Sequence, residues 1–262
     1  MTKLLLSSPN PTKESGRSRQ RGFTLIEIAV ALFIITLVIG ALLTPLATQV
    51  EERQVRETER TMNEMLEALV GYAVSQTVPR LPCPDRISGG AGGDNDTAND
   101  GREDYILGGA CQVNDGNIPW ATLGVSATDL WGNRYRYLAT SAFTTRASPT
   151  MSLTSTGQIR VCSSVPTNDT SCAGSTLVAD GVPAVIISHG RNGYGGMNGS
   201  SNIQIDPGLG SALEQENAVG TWPNSVVSRT RSDVTGNSFD DIVVWLSPNV
   251  LFNRLVSANK LP

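Results

Sequence analysis

The chain is poor in the residues that build metal centres and catalytic centres. Its 262 residues include one histidine, His189, and four cysteines, none of them in a Cys-x-x-Cys pair. A structural zinc site needs four such ligands at characteristic spacings, so the sequence disfavours zinc. His189 follows Ser188, but neighbours in sequence rarely aim their side chains at each other, and a triad also needs an acid and an oxyanion hole. We therefore expect no enzyme.

Positive charge is scarce beyond the first residues. The formal net charge is −4. Residues 1–22 hold five Lys and Arg and one Glu, a net of +4, so −4 minus +4 leaves −8 for the remainder. A domain that binds nucleic acid needs a clustered basic face. We therefore expect no nucleic-acid partner by default.

One long apolar segment follows the basic leader. From Phe23 to Leu43 the only ionisable side chain is that of Glu27. Such a segment is long enough to cross a bilayer as a helix, and the positive charges before it favour a cytoplasmic N-terminus. No Ala-x-Ala site follows directly, unlike in a secretory signal peptide. A lone carboxylate inside such a segment is costly unless it has a partner, so Glu27 requires a functional explanation.

The string GFTLIE at residues 22–27, between the leader and the apolar segment, resembles the class III signal of type IV pilins and type II secretion pseudopilins. The resemblance implies that a prepilin peptidase cuts after Gly22 and methylates the new amino terminus at Phe23. It also implies that Glu27 pairs with the N-terminal ammonium of a neighbouring subunit. Pairing the two charges removes most of the cost of burying either alone. The chain would then be a minor pilin or pseudopilin that assembles into a fibre through its N-terminal helix.

The implied partners are the peptidase, other pilin-like subunits, an inner-membrane assembly platform and the membrane itself. The implied location is the inner membrane, crossed once, with the C-terminal domain in the periplasm until the subunit enters the fibre. Two alternatives remain open. One is an adhesive or ligand-binding minor pilin, and the other is a membrane-anchored periplasmic enzyme.

The sequence predicts four parts. Residues 1–22 form the leader, 23–45 a transmembrane helix, 46–78 an amphipathic continuation of that helix, and 79–262 a globular periplasmic β-rich domain. Between Leu46 and Val74 the apolar residues recur largely at three- and four-residue steps, which is typical of an amphipathic helix. Pro79, Pro82 and Pro84 then end it. The 26 Gly and 14 Pro of the chain favour short strands and turns over a helical bundle.

Four segments of the second half are candidate strands, namely 134–138, 158–161, 184–187 and 241–245. The last two are nearly all apolar, so we expect them to be central in the sheet and covered by the amphipathic half of the helix. Ser247 and Pro248 predict a short helix that ends near Val256. The expected fold class is α+β and pilin-like, with a long N-terminal helix packed on a C-terminal antiparallel sheet.

Four cysteines allow three pairings, and an exported domain lies in an oxidising compartment where disulfides persist. We favour Cys83 with Cys111 and Cys162 with Cys172, because each pair closes a single polar loop.

The loop between the first two cysteines is rich in glycine and acidic residues. Its carboxylates and amide oxygens are the hard ligands that calcium prefers. The EF-hand spacing fails, because two ligand positions hold Ala98 and Leu107. A solvated acidic loop is therefore the simpler interpretation, and calcium is the alternative. The candidate calcium ligands are Asp94, Asp96, Asp100 and Asp104.

Overall fold

The computed structural model describes residues 22–89, 97–147, 150–165, 172, 176–204, 211–218, 225–234 and 236–261, without the side chains of 41–47. The chain forms two compact units, Met1–Val50 and Glu51–Pro262. The amphipathic part of the long helix from Glu51 onward therefore belongs to the globular unit. All elements after this helix lie in the same unit.

The described residues form five helices and seven strands. The helices are α1 (Leu25–Ser75), α2 (Trp120–Leu123), α3 (Ser141–Thr144), α4 (Ala212–Glu216) and α5 (Pro248–Ser257). The strands are β1 (Asp115–Asn117), β2 (Arg136–Ala139), β3 (Ile159–Cys162), β4 (Leu177–Val182), β5 (Ala184–Ser188), β6 (Ser225–Val227) and β7 (Ile242–Leu246).

The strands form two sheets. The first has four strands in the order β1-β2-β5-β7, and every neighbouring pair is antiparallel. The second has three strands in the order β4-β3-β6, of which β3 and β4 are antiparallel but β3 and β6 are parallel. The chain between β3 and β6 includes two strands and α4, and a parallel pair requires a connection of that kind. The expectation of one antiparallel sheet is thus wrong in this detail.

The four-stranded sheet is covered on both faces. On one face, Tyr137 and Ile186 belong to a core that includes Met62, Met65 and Leu69 of α1 and the buried residues of α5. On the other face, alternate residues of β2 and β5 pack against the second sheet. Every residue of β5 is buried for this reason. The α+β class and the packing of the long helix on a sheet are confirmed.

The four predicted strands are present, each with at least one bound shifted by one or two residues. Strand β5 is central, as expected, but β7 is at the edge of the sheet and its middle residues are only half-buried. Both segments are nearly all apolar, so the sequence did not distinguish the central strand from the edge strand. The helix α5 begins at Pro248, as predicted, but Ser247 makes no side-chain cap hydrogen bond.

The structure pairs Cys83 with Cys111 and Cys162 with Cys172, the pairing that the sequence favours. The Cα–Cα distances are 5.2 Å and 5.6 Å, and the pairs are separated by 28 and 10 residues. Cys83 is fully buried beside the core. The first disulfide closes the larger loop, and each disulfide has one fully buried cysteine, Cys83 or Cys162.

We expect the double variant Cys83→Ser with Cys111→Ser to lose about 3 kcal/mol of unfolding free energy, because the unfolded chain regains the entropy of the larger loop. The measurement is the thermal unfolding of the full chain in detergent under oxidising conditions. The matched control is Cys162→Ser with Cys172→Ser, which opens the smaller loop and should lower the midpoint less. Equal or reversed losses would contradict the prediction.

Candidate functional site

Gly22, Phe23 and Thr24 precede the first turn of α1. Phe23 is 78% exposed, and Gly22 is exposed as well. A Cβ added at Gly22 would have no described atom within 4 Å. The peptide bond after Gly22 is therefore open on its C-terminal side, whereas leader residues 1–21 lie outside the described residues.

Thr24 and Glu27 form a capping box at the start of α1. The amide of Glu27 donates to Thr24 Oγ1 at 3.3 Å, and the amide of Thr24 donates to Glu27 Oε2 at 3.5 Å. This reciprocal pattern satisfies amides that the start of a helix leaves unpaired. The carboxylate also lies at the positive end of the helix dipole. The signal for this role is the Thr-x-x-Glu spacing, which sequence reasoning missed.

The N-terminal part of α1 carries large apolar side chains that are exposed. From Leu25 to Ile39 these side chains are 48% to 88% exposed. Soluble monomers rarely expose a contiguous apolar surface of that length, so this surface requires lipid or neighbouring helices.

Within the described residues, no helix combines the length and the apolar character that a membrane crossing requires. The span predicted for residues 23–45 stays a prediction.

Of the four predicted calcium ligands, the structure describes Asp100 and Asp104. Asp94 and Asp96 lie outside the described residues. Asp100 Oδ1 accepts a backbone amide of its own turn at 2.8 Å. Asp104 is fully buried, and its Oδ2 accepts the amide of Arg86 at 2.9 Å and lies 3.6 Å from the Nε of the same residue. In the part of the chain that the structure describes, no three His, Cys, Asp or Glu side chains are placed to hold a metal ion. Calcium stays a prediction.

Asp85 organises the same loop, although sequence reasoning gave it no role. Its side chain is fully buried, and its oxygens accept the amides of Asn99 at 2.9 Å and Gly101 at 3.0 Å. Burial raises the pKa of Asp85 to about 7, the negative charges of Asp104 and Asp100 add to this, and the two amides oppose it. The side-chain hydrogen bonds hold the loop to Asp85, and the Asp85 backbone pairs with Asn117 of β1.

Glu103 joins the first disulfide loop to the end of α1. Arg80 donates to both carboxylate oxygens, at 2.7 and 2.9 Å, and the hydroxyl of Tyr72 donates at 2.8 Å. Arg146 also pairs with this carboxylate. Burial by itself raises the pKa of Glu103, but hydrogen bonds and charges from Arg80, Tyr72 and Arg146 outweigh it and lower the pKa to about 2. Such a carboxylate is a fixed structural anion and is not suited to exchange protons near neutral pH.

Ser188 and His189 form no nucleophile–base pair. Both residues are fully buried. The hydroxyl of Ser188 donates to Asp129 Oδ2 at 2.7 Å. His189 Nδ1 lies 3.6 Å from Asp241 Oδ1, and neither ring nitrogen makes a hydrogen bond in the described structure. The segment is the turn after a buried strand.

Comparison with known proteins identifies one N-terminal feature. The prokaryotic N-terminal methylation motif matches residues 17–43, which include Gly22, Phe23 and Glu27. The match begins in the basic leader and ends in the apolar segment, so it does not extend into the globular unit. No curated protein and no solved structure matches the chain significantly. The chain carries the prepilin-type N-terminal signature of type IV pilins and pseudopilins.

Proposed function

We propose that the chain is a structural subunit of a type IV pilus or of a type II secretion pseudopilus. It is made as a precursor, cut after Gly22 by a prepilin peptidase and methylated at Phe23. The observation that carries the proposal is the apolar helix that directly follows the matched signature, with its large side chains exposed from Leu25 to Ile39. Before assembly this helix lies in the inner membrane, and in the fibre it packs against the same segment of neighbouring subunits.

Cleavage changes the electrostatics of the helix start. It creates an ammonium group at Phe23, one residue before the Thr24 amide that contacts Glu27. An isolated carboxylate among apolar helices is costly. An ammonium group of a neighbouring subunit offsets that cost, and the requirement that both charges be paired sets the axial register of the subunits.

Two features of the globular unit support a minor, low-copy role. The unit runs from Glu51 to Pro262 and carries two disulfide-closed loops, which is more elaborate than a repeating fibre subunit requires. Disulfides persist in an oxidising compartment, which agrees with export to the periplasm. The role as an assembly subunit involves the peptidase, other pilin-like subunits and an inner-membrane platform as partners.

The test is the location of the full chain in a host with a complete pilus or pseudopilus machinery. We expect the processed chain in the sheared fibre fraction, at a small fraction of the amount of the major subunit. Deletion of the prepilin peptidase should return all of it to the membrane as precursor. A processed chain that never leaves the membrane fraction would refute the assembly role.

A further inference from the structure

Four ionisable side chains meet beneath the turn that follows β5. Glu214 comes from α4, Asp240 and Asp241 directly precede β7, and His189 directly follows β5. Glu214 is 2% exposed, Asp241 3% and His189 0%, while Asp240 is half-buried. We call these four residues the acid cluster.

Each carboxyl group of the acid cluster has one oxygen that accepts hydrogen bonds. Glu214 Oε1 accepts from Asn192 Nδ2 at 3.0 Å and from the amide of Asp240 at 3.1 Å. Asp240 Oδ2 accepts from the amide of Asn192 at 3.0 Å, and Asp241 Oδ2 accepts from Asn217 Nδ2 at 2.8 Å. Asn192 thus links Glu214 to Asp240, whereas Asn217 holds Asp241.

The second oxygen of each carboxyl group has no hydrogen-bond donor among the described residues. Glu214 Oε2, Asp240 Oδ1 and Asp241 Oδ1 are all buried and make no hydrogen bond in the described structure, and neither ring nitrogen of His189 makes one. A buried carboxylate oxygen without a donor is strongly destabilised when the group is charged. Three buried carboxyl oxygens of the acid cluster therefore lack a hydrogen-bond donor in the described part of the chain.

The surrounding charges do not offset the cost of burying the charged forms of Glu214 and Asp240. Burial raises the pKa of Glu214 to about 7, with the charges of Asp241 and Asp240 adding to it and the donors opposing it. Burial raises the pKa of Asp240 as well, and the charge of Asp241 adds to this, whereas the backbone amides of Asn192 and Arg191 and the charge of Arg231 oppose it. Besides its own four members, the acid cluster and its direct neighbours are faced by four charged groups from the described elements packed against it. These groups are Glu51, Asp129, Arg191 and Arg231.

We propose that the acid cluster is a proton-binding site that holds one proton near neutral pH, chiefly on Glu214, and releases it as the pH rises. With the proton bound, the cluster has one buried negative charge fewer. When the proton leaves, repulsion among the three carboxylates loosens α4 from the turn after β5. The site concerns the globular unit alone and does not depend on the assembly role.

A proton fits the geometry better than a metal ion, because no three of these ligands, or of any others among the described residues, are placed to hold a metal. The unfolded glutamate has a pKa near 4.5 and the folded one near 7. Between these values the folded state binds more protons than the unfolded state, so this group makes stability fall as the pH rises from 4.5 to 7.

The experiment is thermal unfolding of the full chain in detergent at pH 5.5 and 8.0, for the wild type and Glu214→Gln. Glutamine keeps the Oε1 acceptor and cannot carry the charge. We expect the advantage of the variant over the wild type in unfolding temperature to be about 5 °C greater at pH 8.0 than at pH 5.5, because the wild type has lost only part of this stability at pH 5.5. The control Glu57→Gln removes an exposed acid of α1 and should shift neither value.

The proposal is overturned if the unfolding temperature of Glu214→Gln differs between pH 5.5 and pH 8.0 by as much as that of the wild type. If that variant does not fold, Asp240→Asn provides the same test, since it keeps the Oδ acceptor for Asn192 and removes a charge that faces Glu214. A midpoint that rises on addition of calcium chloride to the wild type at pH 8.0, but not to the variant, would also overturn it, because the occupant would then be a metal ion.

Discussion

The variant Gly22→Asp remains uncut in cells that contain a prepilin peptidase. Glycine lets the peptide backbone approach a catalytic site closely, and an aspartate there must also be stripped of water as it enters a protease in the membrane. A displacement of the scissile bond by about 1 Å slows a reaction on the order of 100-fold. The measurement is the intact mass of the purified chain, which reports the loss of residues 1–22 and the addition of one methyl group.

The structure separates this effect from misfolding. An added Cβ at Gly22 meets no described atom within 4 Å, and the backbone there does not adopt the left-handed conformation that favours glycine. The substitution should therefore leave the globular unit and its unfolding temperature unchanged. Gly22→Ala, with the smallest possible side chain, should be cut more slowly than the wild type but faster than Gly22→Asp.

Gly71→Asp is the matched control. Gly71 lies in α1 on the exposed side, and a Cβ there also has no neighbour within 4 Å. The same charge is thus introduced at an equally open glycine far from the cut, and processing should be complete. Normal processing of Gly22→Asp, or equal failure of both variants, would show that the cleavage site is not after Gly22.

The long elements of the fold were predictable from local pattern. The amphipathic spacing in the second half of α1 identifies Met62, Met65 and Leu69 as a buried face, and these residues do lie in the core. Strand β5 was predictable because five consecutive residues are apolar or small, which matches cover on both faces. In both cases the burial is encoded in neighbouring residues.

The second sheet was not predictable in the same way. Strand β6 has only three residues, and its parallel partner β3 is more than 60 residues away in sequence. Strand β4 is an edge strand with exposed Leu177 and Val178, so it lacks the alternation that identifies a half-buried strand. Pairing between distant short segments depends on the tertiary structure, which a local pattern does not contain.

The candidate functional residues also differ in whether a local sequence pattern reveals them. Gly22, Phe23 and Glu27 lie in a contiguous signature, which is readable in any single sequence. The acid cluster is assembled from three segments that are up to 52 residues apart, since 241 minus 189 is 52. Local pattern gives no role to Glu214, Asp240 or Asp241, and it places His189 only in an incomplete triad with Ser188. Only burial and the missing hydrogen bonds distinguish them.

Glu27→Gln should be cleaved and methylated normally but should be depleted from the fibre fraction by more than about tenfold. Glutamine also serves in a capping box, so the variant keeps the contact with Thr24 and loses only the charge. Without that charge, the ammonium of the neighbouring Phe23 is left unpaired among apolar helices. The loss of one partner of a buried ion pair costs about 3 kcal/mol or more, which exceeds a tenfold change in the population of assembled subunits.

Thr24→Ala is the complementary variant. It removes the Oγ1 that accepts the Glu27 amide at 3.3 Å and keeps the carboxylate. The loss of a capping side chain costs about 1 kcal/mol at the helix start, so the expected depletion is much smaller than for Glu27→Gln. The amounts in sheared fibres and in the membrane, measured by quantitative immunoblotting against an unchanged major subunit, distinguish the two variants.

The pair of variants decides what the carboxylate does. Depletion of Glu27→Gln alone assigns the function to the charge, and thus to pairing with another subunit. Equal depletion of both variants would assign it to the helix start instead, because the capping box holds the only side-chain hydrogen bond of Glu27 to other described residues. Normal incorporation of Glu27→Gln would refute the ion pair as the determinant of register, since a fibre built on that pair leaves the ammonium group without a counter-charge.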